Sequence, residues 1–264
     1  MCLSLGAQVA ELADALASGA SDLRVVEVRV FSWAPDLSNI DPIRREEGCA
    51  IASKRVTSLK IELHQGDLPP DLDLGTAVAI DTETTGLSQS RDRLCLAQLS
   101  AGDEICHLVQ FPQPDAGPIE APNLKALLGD PGVTKLFHYG RFDIAVLERS
   151  IGPVSLPVYC TKIASKLVRT YTDRHGLKDL CRELLAVDLS KEQQSSDWAA
   201  AKLTESQLRY AAHDVLYLHR LRERLDAMIA REGRTALAQA CFDWLPTRVA
   251  LDRSGWPEED IFSH

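Results

Sequence analysis

The feature that most constrains this chain is an apolar strand that ends in two acids. Residues 76–80, TAVAI, have the pattern of a buried strand, and Asp81 and Glu83 follow directly. Because side chains alternate along a strand, the two acids point to the same side. Unpaired buried carboxylates are costly, and the sequence has no Lys or Arg from residue 62 to residue 89 to neutralise them. A metal cation is the expected partner.

Composition limits the classes of protein that fit. The 264 residues, 45% of them hydrophobic, suit one sizeable core with an appendage or two smaller domains. No apolar run is long enough for a membrane helix, and no N-terminal signal pattern is visible. The seven cysteines have no CxxC spacing, which predicts reduced thiols and a cytoplasmic location. The net charge of −9 disfavours binding of long nucleic acids, unless cations supply positive charge and the substrate is small.

Residues 1–57 differ from the rest of the chain. An alanine-rich helix pattern and a β-branched strand pattern are followed by the polar stretch APDLSNIDPIRREEG. Within this region, QVAELADALASGAS resembles the conceptual translation of a bacterial tRNA gene. On that hypothesis residues 1–57 are a spurious or disordered extension, and translation starts near Val56 or Leu59. A genuine N-terminal appendage is the alternative.

The pattern becomes regular from residue 59. Strands are predicted in LKIELHQGD, TAVAIDTE, RLCLAQLS, EICHLVQF, VTKLFH and SLPVYCT. Helices are predicted in APNLKALLGD, capped by Asn123, in RFDIAVLERSIG, and over most of the chain from the last strand to Cys241. The more C-terminal aromatic residues lie between prolines without helical periodicity. Hairpin-like strands followed by alternating strands and helices predict an α/β protein with a mixed sheet and helices on its faces.

Two further acidic motifs lie downstream. Asp143 follows a predicted strand and opens a helix, where its simplest role is to stabilise the positive end of the helix dipole. In LTESQLRYAAHDVLYLHRL, Thr204 and Gln207 form a capping-box signal for a helix. Tyr210 and Asp214, four residues apart, share one face of that helix. For this helix alone, a packed tyrosine beside a solvated acid is an equally good interpretation.

The three motifs follow one another as DTE at 81–83, FD at 142–143 and YAAHD at 210–214. In this order the sequence resembles the DEDD 3′–5′ exonucleases of the DEDDy type, in the ribonuclease D superfamily, over residues 77–224. That resemblance implies a ribonuclease H-like fold with a mixed sheet of five to six strands. SRDRLCLAQLS, CTKIASKLVRTYTDRHGLKDLC and LPTRVALDRSGWPEEDIFSH resemble the nano-RNase C branch, which implies cytoplasmic, octameric enzymes that degrade RNA dinucleotides.

The resemblance implies a role for each acid. An all-oxygen site suits hard cations, and the family implies two Mg²⁺ or Mn²⁺ ions per active site. Asp81 would bridge both ions, Glu83 and Asp214 would complete the ion on the nucleophile side, and Asp143 would support the leaving-group side. Tyr210 would orient the attacking water. The implied exonuclease domain covers residues 58–232, and residues 233–264 form a C-terminal helix and tail.

Substrate contacts are also predicted. The basic stretch at 166–182 suits the 5′ phosphate of a short RNA, although a solvated helix face is the alternative. A leucine after the acidic strand would wedge between bases or simply pack, and a histidine beside the site is more often a core residue. Trp198 would line the pocket or lie in the core. The predicted substrate-binding residues are Leu87, His138, Arg174, His175, Lys178, Gln194 and Ser195.

These features predict a two-metal-ion 3′–5′ exoribonuclease that hydrolyses RNA dinucleotides to nucleoside 5′-monophosphates. The first alternative is a ribonuclease D-like exonuclease acting on tRNA 3′ ends or on DNA. Only 50 residues follow Asp214, few for the helical domains expected of such an enzyme. The second alternative, a non-catalytic scaffold, disagrees with the presence of all four acids and Tyr210. The apolar tail predicts a homo-oligomer contact, with docking on its own domain as the alternative, and no membrane association is expected.

Overall fold

A mixed sheet and the helices on its two faces form the part of the chain that the computed structural model describes, residues 59–111, 117–190, 192–193 and 195–263. The extension predicted at residues 1–57 and the predicted substrate-binding residue Gln194 lie outside the described residues. None of the described helices is long and apolar enough to cross a membrane. The elements are β1 (Lys60–Gln65), β2 (Ala77–Thr84), β3 (Leu94–Ser100), β4 (Ile105–Gln110), α1 (Pro122–Gly129), β5 (Thr134–Phe137), α2 (Gly140–Ser150), β6 (Val158–Cys160), α3 (Thr161–Val168), α4 (Leu177–Leu185), α5 (Glu205–Leu216), α6 (Leu218–Arg231) and α7 (Thr235–Arg253).

The six strands lie in the order β1-β4-β3-β2-β5-β6. Strands β2, β3 and β4 pair antiparallel, as the hairpin pattern predicted. The pairs β1–β4, β2–β5 and β5–β6 are parallel. This arrangement confirms the predicted α/β class and the ribonuclease H-like mixed sheet. Strand β2, which carries the acidic motif, lies inside the sheet between β3 and β5.

The alternation of side chains along the strands produces two hydrophobic cores. Ala79 belongs to one core together with Val215 of α5. The next residue, Ile80, belongs to the other core together with Ile144 of α2. Burial of apolar side chains on both faces stabilises the sheet between two helical layers.

Helix α7 is longer than predicted. The prediction placed the end of the helical region near Cys241, but α7 continues to Arg253 with Pro246 inside it. The aromatic stretch therefore does have helical periodicity, with one buried face at spacings of three and four residues. The buried residues of this face are Phe242, Leu245 and Val249. The tail proper is limited to residues beyond 253.

Helix α1 is capped from another part of the chain. The Asp67 carboxylate accepts hydrogen bonds from the backbone N–H groups of Asn123 and Leu124, at 2.8 and 2.9 Å. The Asn123 side chain donates instead to the Leu68 carbonyl at 2.8 Å. The prediction of Asn123 as the cap is therefore wrong, because a carboxylate from the loop after β1 satisfies the free N–H groups at this helix start.

Candidate active site

The structure brings the four predicted acids together around one cavity of about 640 Å³. Asp81 and Glu83 extend from the same face of β2, and the pairing of β2 with β3 is irregular at Glu83. Asp214 reaches the cavity from α5, and its carboxylate lies within 4.8 Å of those of Asp81 and Glu83. Asp143 lies in the first turn of α2. Residues far apart in sequence thus present oxygen atoms to one space.

Helix α5 is fixed at its start by the predicted capping box. The Thr204 hydroxyl accepts from the Gln207 backbone N–H, and the Gln207 side chain accepts from the Thr204 backbone N–H. Gln207 also donates to the carbonyl of Asp197 at 3.0 Å. This anchoring sets the rotation of the helix, so that Tyr210 and Asp214 both line the cavity. The Tyr210 hydroxyl hydrogen-bonds to the Asp214 carboxylate.

Burial and mutual repulsion disfavour the ionised forms of these acids. Burial, followed by repulsion from Asp214 and Asp143, raises the pKa of Glu83 to about 9. Burial raises the pKa of Asp214 and of Asp143 to about 7. Burial and then the neighbouring acids hold the pKa of Asp81 well above its ordinary value. A divalent cation would relieve this repulsion and favour the ionised carboxylates.

The donor set fits a hard divalent cation. The carboxylates of Asp81, Glu83 and Asp214 offer only oxygen, which is the ligand type that Mg²⁺ and Mn²⁺ prefer. Asp143 is held by the Thr82 hydroxyl, which donates to its Oδ1 at 2.7 Å. This hydrogen bond fixes the Asp143 carboxylate, and we call these four acids the acid cluster.

Tyr210 is a hydrogen-bond donor at neutral pH. Burial, followed by repulsion from Asp214, raises the pKa of the phenol above its ordinary value. The hydroxyl therefore keeps its proton and is unsuited to act as a general base. Trp198 lies in the core with its ring 6.0 Å from that of Tyr210, and it also lines the cavity, so both interpretations of Trp198 hold.

The predicted substrate-binding residues divide into two groups. Leu87, His138, Lys178 and Ser195 line the cavity. Leu87 is 90% exposed, so it does not pack against the protein. His138 is held through its Nδ1 by the Thr161 hydroxyl at 2.8 Å, rather than by a backbone group.

Arg174 and His175 are not among the residues that line the cavity. Arg174 is exposed, and His175 Nδ1 lies 2.8 Å from the hydroxyl of Ser165. Arg169 of the same basic stretch is fully buried, where it pairs with Glu183 and donates to the Arg174 carbonyl at 2.7 Å. This part of the stretch organises the loop before α4.

The sequence patterns did not reveal a second positive side chain in the cavity. Lys162, in the first turn of α3, lies with its Nζ 4.1 Å from the centre of the Tyr139 ring. Tyr139 is in the left-handed region with φ of 69°, at the turn from β5 into α2. The next residue is Gly140, where a Cβ would lie 2.8 Å from the Cβ of Phe137. This tight turn, which requires glycine, was the available signal that the carboxyl end of β5 borders the site.

Comparison with known proteins agrees with this geometry. The 3′–5′ exonuclease domain family matches residues 60–230. Ribonuclease D of Acidiphilium cryptum is 31% identical over 174 residues, which cover 66% of this chain and 41% of that protein. The chain thus spans less than half the length of this relative.

Solved structures give the same result. NrnC of Brucella melitensis is 57% identical, with a TM-score of 0.74 over 78% of this chain and 100% of that chain. A structure of that protein bound to pGG is 57% identical, with a TM-score of 0.74 over 78% of this chain and 100% of that chain. A structure of it with bound Mg²⁺ is 56% identical, with a TM-score of 0.73 over 78% of this chain and 99% of that chain. Ribonuclease D of Escherichia coli is 28% identical, with a TM-score of 0.58 over 69% of this chain and 48% of that chain. The chain belongs to the 3′–5′ exonuclease family, within the DEDDy-type ribonuclease D superfamily and near NrnC.

Proposed function

We propose that the protein is a 3′–5′ exoribonuclease that hydrolyses very short RNA, above all RNA dinucleotides, to nucleoside 5′-monophosphates. The observation that carries this proposal is the convergence of four carboxylates and Tyr210 on one open cavity. The Brucella melitensis relative that binds pGG supports a short RNA as the substrate.

The acids act as ligands for two divalent ions, Mg²⁺ or Mn²⁺. By the family resemblance, Asp81 would serve both ion positions, Glu83 and Asp214 would serve the nucleophile side, and Asp143 would serve the leaving-group side. When bound, the two ions would supply the positive charge that the attacking and leaving oxygens of the phosphodiester require. The Mg²⁺-bound structure of the Brucella melitensis relative supports this cation class.

Tyr210 positions the attacking water. Its protonated hydroxyl interacts with Asp214, and both side chains line the cavity. A fixed donor of this kind lowers the entropic cost of aligning water with the phosphorus atom. No proton transfer to Tyr210 is required.

The remaining cavity residues suit a small anionic ligand. Lys162 and Lys178 bring positive charge to a site that is otherwise acidic, and each can bind a phosphate oxygen. Leu87 offers an exposed apolar side chain that can lie between two bases. The overall charge of −9 opposes binding of longer polyanions, which favours a substrate with few phosphates.

Hydrolysis of 5′-labelled RNAs from the dinucleotide to the decamer, with Mg²⁺, tests the proposal. We expect the dinucleotide to be cleaved fastest, and the Asp81→Asn variant to cleave none of the series. A rate that is constant or rises with length would overturn the dinucleotide preference and leave a general exonuclease. Matched deoxyribonucleotides in the same assay measure the preference for RNA.

The second candidate is a general exonuclease that trims tRNA 3′ ends or DNA. It is favoured by the similarity to proteins named ribonuclease D. A tRNA with an extended 3′ end, added in competition with the dinucleotide, distinguishes the two: faster trimming of the tRNA would favour this candidate.

We also propose that the C-terminal segment, residues 233–264, contacts another copy of the chain in a homo-oligomer, an octamer by resemblance to the nano-RNase C branch. Its tail exposes Trp256, Ile261 and Phe262, and Trp244 of α7 is 43% exposed. The ring of Trp244 lies 6.0 Å from that of Phe262. Truncation after residue 254 keeps the buried face of α7, and we expect light scattering to show a smaller species. An unchanged mass would restrict the tail to packing on its own chain.

The catalytic domain is proposed to cover residues 58–232, and the protein is proposed to act in the cytoplasm. Support for the location comes from the cysteines in the described part of the chain, which are all free thiols. They are Cys95, Cys106, Cys160, Cys181 and Cys241.

A further inference from the structure

A second cluster of metal-binding side chains lies at the edge of the sheet. Glu62 and His64 are two residues apart on β1, so they share one face of this edge strand. His107 lies on β4, where it pairs directly with Glu62 in the parallel ladder. Strands β4 and β3 separate β1 from the acidic strand β2. We call Glu62, His64 and His107 the edge cluster.

The ligand atoms of the edge cluster lie close together around His107 Nδ1, and the two imidazole rings are nearly parallel, at 15°. His64 Nε2 lies 3.1 Å from His107 Nδ1, and His107 Nδ1 lies 3.4 Å from Glu62 Oε2. All three ligand atoms lie within 4.8 Å of one another. A tetrahedral zinc site with bonds of about 2.0–2.1 Å has ligand atoms roughly 3.3–3.4 Å apart. The two separations from His107 Nδ1, 3.1 and 3.4 Å, are close to this value.

Hydrogen bonding alone does not explain this convergence. His107 Nδ1 has either one proton to donate or one lone pair to accept with. If it donates, it can satisfy Glu62 or His64, but not both. If it accepts from His64, its lone pair faces the Glu62 carboxylate. A cation that replaced the shared proton, with a small rotation of the imidazole rings, would be a common partner for all three groups.

The chemical state of each residue suits a ligand. His107 is 5% exposed, so its ring is held in place by the surrounding protein. Glu62 is partly exposed and pairs with Lys60. Lys60 occupies Oε1 of Glu62, at 2.5 Å, which leaves Oε2 directed at His107. The partly exposed Glu62 and His64 leave a route by which an ion can enter.

We propose that the edge cluster is a binding site for a divalent transition-metal cation of the zinc class, distinct from the acid cluster. Two imidazoles and one carboxylate are a ligand set for zinc rather than for Mg²⁺. Because the ligands come from two strands, the bound ion ties the edge strand β1 to β4 and adds a cross-link that the backbone ladder lacks.

Cobalt(II) provides the test, since its visible absorption reports both binding and a four-coordinate site. The protein is titrated with Co²⁺ in the presence of excess Mg²⁺, which occupies the acid cluster. We expect the wild type to show the absorption of one four-coordinate Co²⁺ per chain, and His64→Ala and Glu62→Gln to lose it. The matched control is Leu63→Ala, which changes the same strand on its opposite face and should keep the signal. Circular dichroism verifies that every variant is folded.

The Asp81→Asn variant locates the ion. It should retain the Co²⁺ absorption, because its edge cluster is unchanged. In a separate measurement, added Zn²⁺ should raise the melting temperature of the wild-type protein but not that of His64→Ala. The proposal is overturned if the wild type shows no such absorption, if His64→Ala and Glu62→Gln retain it, or if Asp81→Asn abolishes it. These readouts do not depend on hydrolysis, so they stand whether or not the proposed nuclease activity is found.

Discussion

Two strands of the same sheet carry a ligand pair at the same spacing, but the pairs meet different neighbours. Asp81 and Glu83 on β2 meet Asp214 from α5, so their site contains only carboxylate ligands. Glu62 and His64 on β1 meet the imidazole of His107. The i, i+2 geometry of a strand supplies two ligands in either case. The third ligand, from another element, decides which class of cation the site prefers.

The two clusters also differ in electrostatic strain. Burial and repulsion raise the pKa values in the acid cluster, to about 9 for Glu83. In the edge cluster, the hydrogen bond from Lys60 lowers the pKa of Glu62 instead. A cation is therefore needed to neutralise the acid cluster, whereas in the edge cluster Lys60 already neutralises the charge of Glu62 and a cation would serve the contact between Glu62 and His107.

The largest expected effect separates the clusters by function. Asp81→Asn removes one negative ligand, and loss of the several kcal/mol of charge stabilisation should slow Mg²⁺-dependent dinucleotide hydrolysis by roughly a thousandfold or more. The exposed Glu223→Gln is the matched control and should retain the wild-type rate. If Asp81→Asn hydrolysed the dinucleotide at the rate of this control, the acid cluster would have no role in hydrolysis.

Tyr210→Phe should have the next largest effect. The change removes one hydroxyl and keeps the ring beside Trp198, so we expect kcat for dinucleotide hydrolysis to fall by about a hundredfold with little change in fold. Because the phenol is not a base, the pH profile should keep its shape. A changed profile would contradict the assignment of Tyr210 as a donor.

The strain in the acid cluster predicts a dependence of stability on pH. The folded-state pKa of Glu83 is about 9, above the ordinary 4.5, so the folded protein holds this proton more tightly than the unfolded chain. Stability associated with that proton is present below about pH 4.5 and is lost as pH rises through about 9. Glu83→Gln avoids this loss.

We therefore expect Glu83→Gln to gain on the order of 1–3 kcal/mol in free energy of unfolding at the alkaline end, relative to wild type. Urea unfolding with a chelator present, at pH values from about 5 to about 9, measures the difference. Added Mg²⁺ should reduce it, since the cation neutralises the wild-type cluster. If the free energy of unfolding changed with pH in the same way for both proteins, repulsion in the acid cluster would not destabilise the folded protein at alkaline pH.

The smallest effect concerns the edge cluster. Lys60→Ala removes an ammonium group that competes for Glu62, so Co²⁺ should bind about twofold to fivefold more tightly. The effect is small because the Lys60 side chain is 64% exposed and its charge is screened. Weaker binding would indicate that Lys60 supports the site instead of competing with the ion.

The sequence predicted those parts of the molecule that depend on local pattern. The strands, the Thr204 capping box and the DTE motif are visible within short windows, and the family resemblance linked that motif to Asp143 and Asp214. Contacts between distant segments were not visible. His107 lies 43 residues from His64, and Asp67 lies 56 residues from the helix start that it caps.

Helix α7 links the C-terminal region to the position of Asp143. It packs in the same core as α2, and Asp252 accepts a hydrogen bond of 2.8 Å from Arg141, two residues before Asp143. A nascent chain on the ribosome lacks this support until α7 has emerged. We therefore expect Arg141 and the first turn of α2 to be held in place only after α7 has been synthesised, so that assembly of the acid cluster follows synthesis of the C-terminal region.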